Sequence, residues 1–511
     1  MGINEHESAN ERTTTNLKSS MIQCLGRWFP VFQWIQQYRR HWFWCDLSTG
    51  FTIVALHIPQ GLAYGRLAGV EPIFGLYVSF FPVLIYTIFG TSRQISIGTF
   101  AVVSISCREL LSHYETITIN YDVVRNQTND VNKVELINVN GELMRPIDLL
   151  IVSSLVVGTI LLLLRLFQLG WLVSILPDSL LSSFVVGTSL HVFTSQVYAL
   201  IGMDRSNQSS NNDNIDLLRH FPLISSWNYI IKHLSTSMNR YTTILSTCTI
   251  VILFTVRNYV EPQIVQQLEK TKTKTQLILP IDMTVIVILT ILSSVFDFNG
   301  QFEVENIPKI TGSFTNIGTI PRLHLIPAVA LNSILLALII YVSTYSLERI
   351  FADKHDYTLD SNQELFALGI SNVFCSFVSC YPCSGSLSRS VVQERIGGQT
   401  QLASFISAIM VGLFIAYGTG HLETTPKFVL SCTIIMALMG TMSKFSDIYH
   451  YWKCSTIDTI IWIGTFLSVT LFGVDHGLLV GLCLMSIIKI IQFIISIWNG
   501  RKDPKIQSSN P

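Results

Sequence analysis

The chain has 511 residues, of which 49% are hydrophobic and only 13% charged. A soluble domain carries about 25% charged residues, so the composition excludes a soluble globular protein and points to a membrane. The 33 Lys and Arg balance 33 Asp and Glu, which leaves no electrostatic basis for a nucleic-acid partner.

Residues 1–20 are polar and lack the apolar core of a cleavable signal, so the first membrane helix is expected to direct insertion. Residues 21–44 mix Trp28, Phe29, Trp34, Trp42 and Trp44 with Arg27, Arg39 and Arg40. That mixture suits a helix at headgroup level, and equally the flank of a first span. Apolar segments follow at 48–66, 71–90, 95–112, 147–167, 175–201, 241–260, 279–297, 325–350, 362–380, 384–395, 400–418, 426–442, 457–474 and 476–498. A full span needs about 20 apolar residues, and the third and tenth segments are short or interrupted. The pattern predicts an all-α polytopic membrane protein with about fourteen transmembrane segments in two halves of seven. Its expected divisions are a cytoplasmic tail with an interfacial helix (1–47), a first repeat (48–298), a second repeat (299–498) and a short cytoplasmic tail (499–511).

An odd number of spans per half turns the second half upside down relative to the first. Asn126-Gln127-Thr128 and Asn207-Gln208-Ser209 are glycosylation sequons. With both termini cytoplasmic, both sequons fall outside, while Lys270, Lys272, Lys274, Arg501, Lys502 and Lys505 fall inside, as the positive-inside rule asks. Arg205 and Arg219 lie outside and weaken that bias. The ten cysteines show neither metal nor secreted-framework spacing. Cys380 and Cys383 flank Pro382 in an apolar context and are expected to pack. No nucleophile–base set or nucleotide loop is visible, so neither an enzyme nor a cofactor is expected.

The two interrupted segments carry the chemistry. In Ser92-Arg93-Gln94-Ile95-Ser96-Ile97-Gly98-Thr99-Phe100-Ala101, polar and apolar residues alternate as in an extended piece. Gly98 then allows a change of direction, and a helix is expected to begin near Thr99. In Tyr381-Pro382-Cys383-Ser384-Gly385-Ser386-Leu387-Ser388-Arg389-Ser390, Pro382 and Gly385 break the chain, and Ser386 or Ser388 is a candidate cap. Interrupted segments at matching places of two halves point to a transporter's substrate site. A helix start exposes unpaired N–H groups and about half a positive charge. Two such starts with Arg389 form a candidate anion site. Arg389 costs about 2.5–3.5 kcal/mol to insert in lipid, so it is expected to face a cavity; pairing with Glu394 is the structural alternative. Gln60, in Pro59-Gln60-Gly61, offers an amide hydrogen, and Tyr64 one turn later shares its face. With Phe100, Tyr64 could form an apolar wall with ring edges toward an anion.

Ile58-Pro59-Gln60-Gly61-Leu62-Ala63-Tyr64, Phe74-Gly75-Leu76-Tyr77 and the run from Phe89 to Phe100 resemble the sulfate-permease family of anion exchangers, which includes pendrin and prestin. Asn362-Gln363-Glu364-Leu365, Ser386–Ser390 with Gly397-Gly398-Gln399-Thr400-Gln401, the run from His191 to Gln196, and Gly473-Val474-Asp475 extend the resemblance over about 45–500. The resemblance implies fourteen segments in inverted repeats, a core domain moving against a gate domain in an elevator-like shift, and half-helices at segments three and ten. It also implies an anion site lined by Gln60, Tyr64, Thr99, Phe100, Ser386, Leu387, Ser388 and Arg389. The implied activity is secondary transport, with chloride exchanged for bicarbonate, sulfate or a similar anion, oxalate and iodide included. The implied setting is a homodimer in the lipid bilayer of the plasma membrane. An uncoupled channel or a voltage-responsive protein of the same fold is the alternative. Three departures from the family pattern stand out. Arg66 and Glu71 stand where apolar or small residues are usual, Gln94 replaces a common His, and Thr99 replaces a common Pro. The expected C-terminal STAS domain is missing from the sequence up to Pro511, through either truncation or natural lack.

Overall fold

Lipid leaves a backbone no hydrogen-bond partner but itself, so apolar runs of this length fold as helices. The computed structural model describes residues 29–502 except 122–131, 140, 172–176, 204–220, 261, 264–280, 308–313 and 315–316. In chain order the elements are α1 (Pro30–Gln36), α2 (Arg40–Leu67), α3 (Pro72–Phe89), β1 (Ile97–Gly98) and α4 (Ala101–Ser112). A small sheet follows, of β2 (Glu115–Tyr121), β3 (Asn132–Val139) and β4 (Glu142–Met144). Then come α5 (Pro146–Leu166), α6 (Asp178–Leu200), α7 (Pro222–Ser237), α8 (Arg240–Thr255), α9 (Ile281–Phe296) and α10 (Phe298–Phe302). The remainder is α11 (Ile326–His355), α12 (Ser361–Phe377), β5 (Ser384–Gly385), α13 (Leu387–Ile396), α14 (Leu402–Tyr417), α15 (Lys427–Met442), α16 (Asp447–Cys454), α17 (Thr456–Phe472) and α18 (Val474–Lys502).

The protein is thus an all-α polytopic membrane protein, with sheets in two small places among the described residues. Each of the fourteen apolar segments corresponds to a helix. Among the described residues, seven helical stretches are long and apolar enough to cross a membrane, and three apolar helices are shorter. The helices of the two interrupted segments, α4 and α13, have 12 and 10 residues. At about 1.5 Å per residue they reach only about half of a ~30 Å hydrocarbon core. Helices α2, α3, α5, α11, α12 and α14 pack against one another, while α6, α8, α15, α17 and α18 form a second group. These are the core and gate of the inverted-repeat fold. The apolar side chains of Val287, Ile291 and Val295 on α9, and of Ile487, Ile491 and Ile494 on α18, are exposed on the outer surface, as lipid-facing positions are.

Several boundaries differ from expectation. The first membrane helix begins at Arg40 and not near residue 48, so Trp42 and Trp44 lie on its N-terminal flank, after the short helix α1. Helix α7 was not foreseen because its Ser, Asn, Lys and His residues dilute the apolar signal. The β2–β4 sheet was not foreseen either. Its inward residues Ile137, Val139 and Met144 are buried, but they are too few to stand out in a polar stretch. Asn126, Asn207, Lys270, Lys272, Lys274 and Lys505 lie outside the described residues.

Small residues set a close helix crossing. A Cβ on Gly75 of α3 would clash with the carbonyl oxygen of Gly61 and lie 3.0 Å from Gly65 Cα, both on α2. Backbones this close cannot part without separating the helices. Gly75→Val is therefore expected to abolish monodisperse protein in detergent. Gly440→Ala on α15, where a Cβ meets nothing within 4 Å, should leave the size-exclusion profile unchanged.

Candidate functional site

The two interrupted stretches meet. β1 and β5 pair antiparallel, with Ile97 opposite Gly385 and Gly98 opposite Ser384. The Ser386 N–H continues the ladder by donating to the Ser96 carbonyl at 3.0 Å. Two residues past Gly98 stands Phe100, which precedes α4, and two residues past Ser384 stands Ser386, which precedes α13. The Gly98–Ser384 pair is thus the centre of a local two-fold relation, and the helices leave it in opposite directions.

Non-helical backbone at membrane depth survives where protein covers it or it lines a cavity, and side chains from α11, α12 and α13, with Gln401 just before α14, provide the cover. The Gly385 N–H donates to Thr344 Oγ1 on α11 at 3.0 Å. Asn372 on α12 brackets Cys383, accepting its N–H at 2.9 Å and donating to its carbonyl at 3.3 Å. Gln401 Nε2 donates to the carbonyls of Ser92 and Ile95 at 2.8 and 3.0 Å. Glu364 on α12 accepts the Thr91 N–H at 2.6 Å and the Tyr86 hydroxyl of α3 at 2.8 Å. Ser390 Oγ on α13 accepts the Ser96 N–H at 2.9 Å and donates to the Ser386 carbonyl at 2.7 Å.

The helix starts themselves are left open. α4 begins at Ala101, two residues later than expected, after an extended Phe100. The expectation that Ser386 or Ser388 caps the other helix does not hold. Ser386 occupies the cap position, but its side chain makes no capping bond and instead lies 3.4 Å from Ser388 Oγ. Phe100 has no capping oxygen to offer. Without a capping side chain, the first N–H groups of these two buried helix starts have neither an intrahelical partner nor a capping oxygen.

Arg389 closes the site from α13. Its side chain is wholly buried. Nε donates to Ser96 Oγ at 3.2 Å and Nη1 to Gln60 Oε1 at 2.9 Å. Nη2 has no partner among the described residues, and a Cβ built on Gly98 would lie 3.1 Å from it. The free end of the guanidinium therefore rests over the two-fold centre. The alternative partner Glu394 is occupied elsewhere, by Lys354 at 2.9 Å and His355 at 3.1 Å.

The other expected residues gather around this point. Gln60 is buried on α2, and its Nε2 lies 3.5 Å from Ser388 Oγ. Tyr64 is buried one turn along the same helix. Thr99 is buried with no partner for Oγ1 among the described residues. Phe100 is buried in the same apolar cluster as Tyr64, while Leu387 and Ser388 are half-buried at the start of α13. Arg66 donates weakly to the Lys427 carbonyl at 3.5 Å. Sequence reasoning missed His57, Ser96 as a side chain, and Ser390. A histidine inside an apolar helix, three residues before Gln60, was the available signal for the first of them.

The comparisons with known proteins agree on the fold and the family. The profile of the sulfate permease family matches residues 43–465, a range that contains every residue of the site. A sulfate transporter of Bos taurus is 31% identical over 485 residues, which cover 94% of this chain and 63% of that protein. Human solute carrier family 26 member 6 is 29% identical over 464 residues, 91% of this chain and 57% of that protein. The chain thus spans less than two thirds of the length of these relatives. The structure of murine solute carrier 26 family member A9, an anion transporter in an inward-facing state, aligns with a TM-score of 0.77 at 24% identity, over 92% of this chain and 72% of that one. The transmembrane domain of a cyanobacterial bicarbonate transporter aligns with a TM-score of 0.64 at 15% identity, over 87% of this chain and 98% of that one. With the profile spanning most of its length and its uncapped helix starts inside the matched range, the chain belongs to the sulfate permease family.

Proposed function

We propose that this chain is a secondary anion transporter whose substrate sits between the starts of α4 and α13. The observation that carries the reading is the unspent Nη2 of Arg389 over Gly98, flanked by two buried helix ends without side-chain caps. N–H groups at helix starts, serine hydroxyls and a guanidinium are donors, and an anion is the ligand that donors hold. Gln60, Tyr64, Thr99, Phe100, Ser386, Leu387, Ser388 and Arg389 line the site in this reading. The names of the relatives support sulfate among the substrates. Exchange of chloride with bicarbonate, sulfate or a similar anion, oxalate or iodide included, is the proposed mode. An elevator-like shift of the core group against the gate group would expose the site to each side in turn. The repeats are assigned to 48–298 and 299–498, the termini to the cytoplasm, and the protein to the plasma membrane as a homodimer.

The direct test is uptake of radiolabelled sulfate and chloride into proteoliposomes, with and without each anion trapped inside. Saturable uptake accelerated by an internal counter-anion is the expected result. Uptake indifferent to internal anion, with macroscopic current under voltage clamp, would replace exchange with conductance. For topology, Asn126→Gln should remove a glycan-dependent mobility shift, and a shift from a sequon inserted at 261–276 would overturn the assignment.

A further inference from the structure

His57 is wholly buried on α2, three residues before Gln60 and on the same face. Its ring nitrogens each have a hydroxyl neighbour. Nε2 lies 3.2 Å from Ser96 Oγ, and Nδ1 lies 2.9 Å from Ser407 Oγ on α14. Ser96 Oγ is also 3.2 Å from Nε of Arg389. An arginine Nε only donates, so Ser96 Oγ accepts there. The Ser96 hydroxyl and His57 Nε2 share one hydrogen bond, whose direction follows the ring tautomer. The other ring nitrogen, Nδ1, is held by Ser407 Oγ. The result is a hydrogen-bonded chain that links Arg389 through Ser96 and His57 to Ser407.

This chain bears on where Nη2 points. A guanidinium is planar and rigid. Nη1 is held by Gln60 and Nε by Ser96, and these two bonds set the plane that places Nη2 over Gly98. Ser96 can hold Nε only while its lone pairs face Arg389, and a hydroxyl rotor alone does not ensure that. The bond to His57 Nε2 at 3.2 Å holds the hydroxyl in place. We propose that His57 is a positioning residue for anion binding, which acts through the Ser96 hydroxyl to lock the Arg389 guanidinium toward the two-fold centre. The inference rests on the reading of Arg389 as the anion's donor. It assigns His57 no contact with the anion.

The test uses the full chain in proteoliposomes, with radiolabelled sulfate and radiolabelled chloride as separate probes. His57→Leu, which removes both ring nitrogens, is expected to raise the half-saturating concentration about ten-fold, the size of one well-placed hydrogen bond to a charged group, with little change in maximal rate. His57→Gln, whose amide can bond Ser96 near the Nε2 position, should recover most of the affinity. In an Arg389→Ala background His57→Leu should add nothing, because its route is already cut. A wild-type half-saturating concentration in His57→Leu overturns the proposal, and so does a full additional loss in the double variant. If Arg389→Ala itself leaves uptake unchanged, the anion-site reading fails first. If Arg389→Ala weakens uptake while His57→Leu is silent, only the positioning role fails. Should His57→Leu not fold, Ser407→Ala frees the far end of the chain, and a half-saturating concentration equal to wild type there also overturns it.

Discussion

Arg389→Ala is expected to weaken saturable anion uptake sharply in protein that still reaches the membrane. The side chain is wholly buried and makes two hydrogen bonds, to Ser96 and Gln60, with its third nitrogen free over the centre of the site. A hydrogen bond to a charged group contributes about 1.5–3 kcal/mol net. An anion deprived of the guanidinium's bond and charge should need a half-saturating concentration roughly ten- to a hundred-fold higher. Arg389→Lys keeps the charge but loses the planar fork, and a lysine cannot satisfy Ser96 and Gln60 while also reaching Gly98. It should fall between wild type and Ala. Radiolabelled sulfate and chloride uptake in proteoliposomes measures both variants, and surface labelling in cells checks delivery. Wild-type kinetics for both anions in Arg389→Ala would sink the assignment of this residue.

Much of this arrangement was legible beforehand. Alternation from Gln94 to Ile97, a glycine at 98 and a serine cluster before Arg389 marked two extended pieces leading into two short helices, and both exist. Helical periodicity and local turn signals sufficed for that, because each depends on neighbours in the chain. The pairing of Gly98 with Ser384 depends on backbone 286 residues apart and left no local trace, although two inverted halves made a meeting plausible. The cap expectation failed for a related reason. A serine at a cap position is read as a cap from its type alone, but Ser386 turns toward Ser388 and leaves the helix start open. Glu394 was the nearest acid in sequence to Arg389, yet one and a half turns of a 10-residue helix carry it to Lys354 and His355. The residues that support the ribbon, Thr344, Asn372, Ser390 and Gln401, look like ordinary polar residues of membrane helices. Only the fold shows that each is aimed at a stretch of unpaired backbone.

The same geometry makes Gly98 the position where a single methyl group should do the most harm to transport. Its φ is +143°, in a region that side-chain-bearing residues rarely adopt. A Cβ there would stand 3.1 Å from Arg389 Nη2, 3.5 Å from the Val78 carbonyl and 3.6 Å from Ser79 Cα. Backbone strain alone costs about 1–3 kcal/mol and would mainly lower stability. Crowding of Nη2 is different, because it occupies the space in which the proposed anion would meet the guanidinium. Gly397 separates the two effects. It also has positive φ, +99°, but a Cβ there meets nothing within 4 Å. Gly397→Ala should therefore cost stability and keep the wild-type half-saturating concentration. Gly98→Ala should cost a comparable amount of stability and lose saturable uptake, and Gly98→Val should lose it completely. Melting temperature in detergent reads the first quantity and anion uptake the second. If Gly98→Ala transports sulfate or chloride with wild-type affinity, the anion does not bind at the two-fold centre, whatever the role of Arg389.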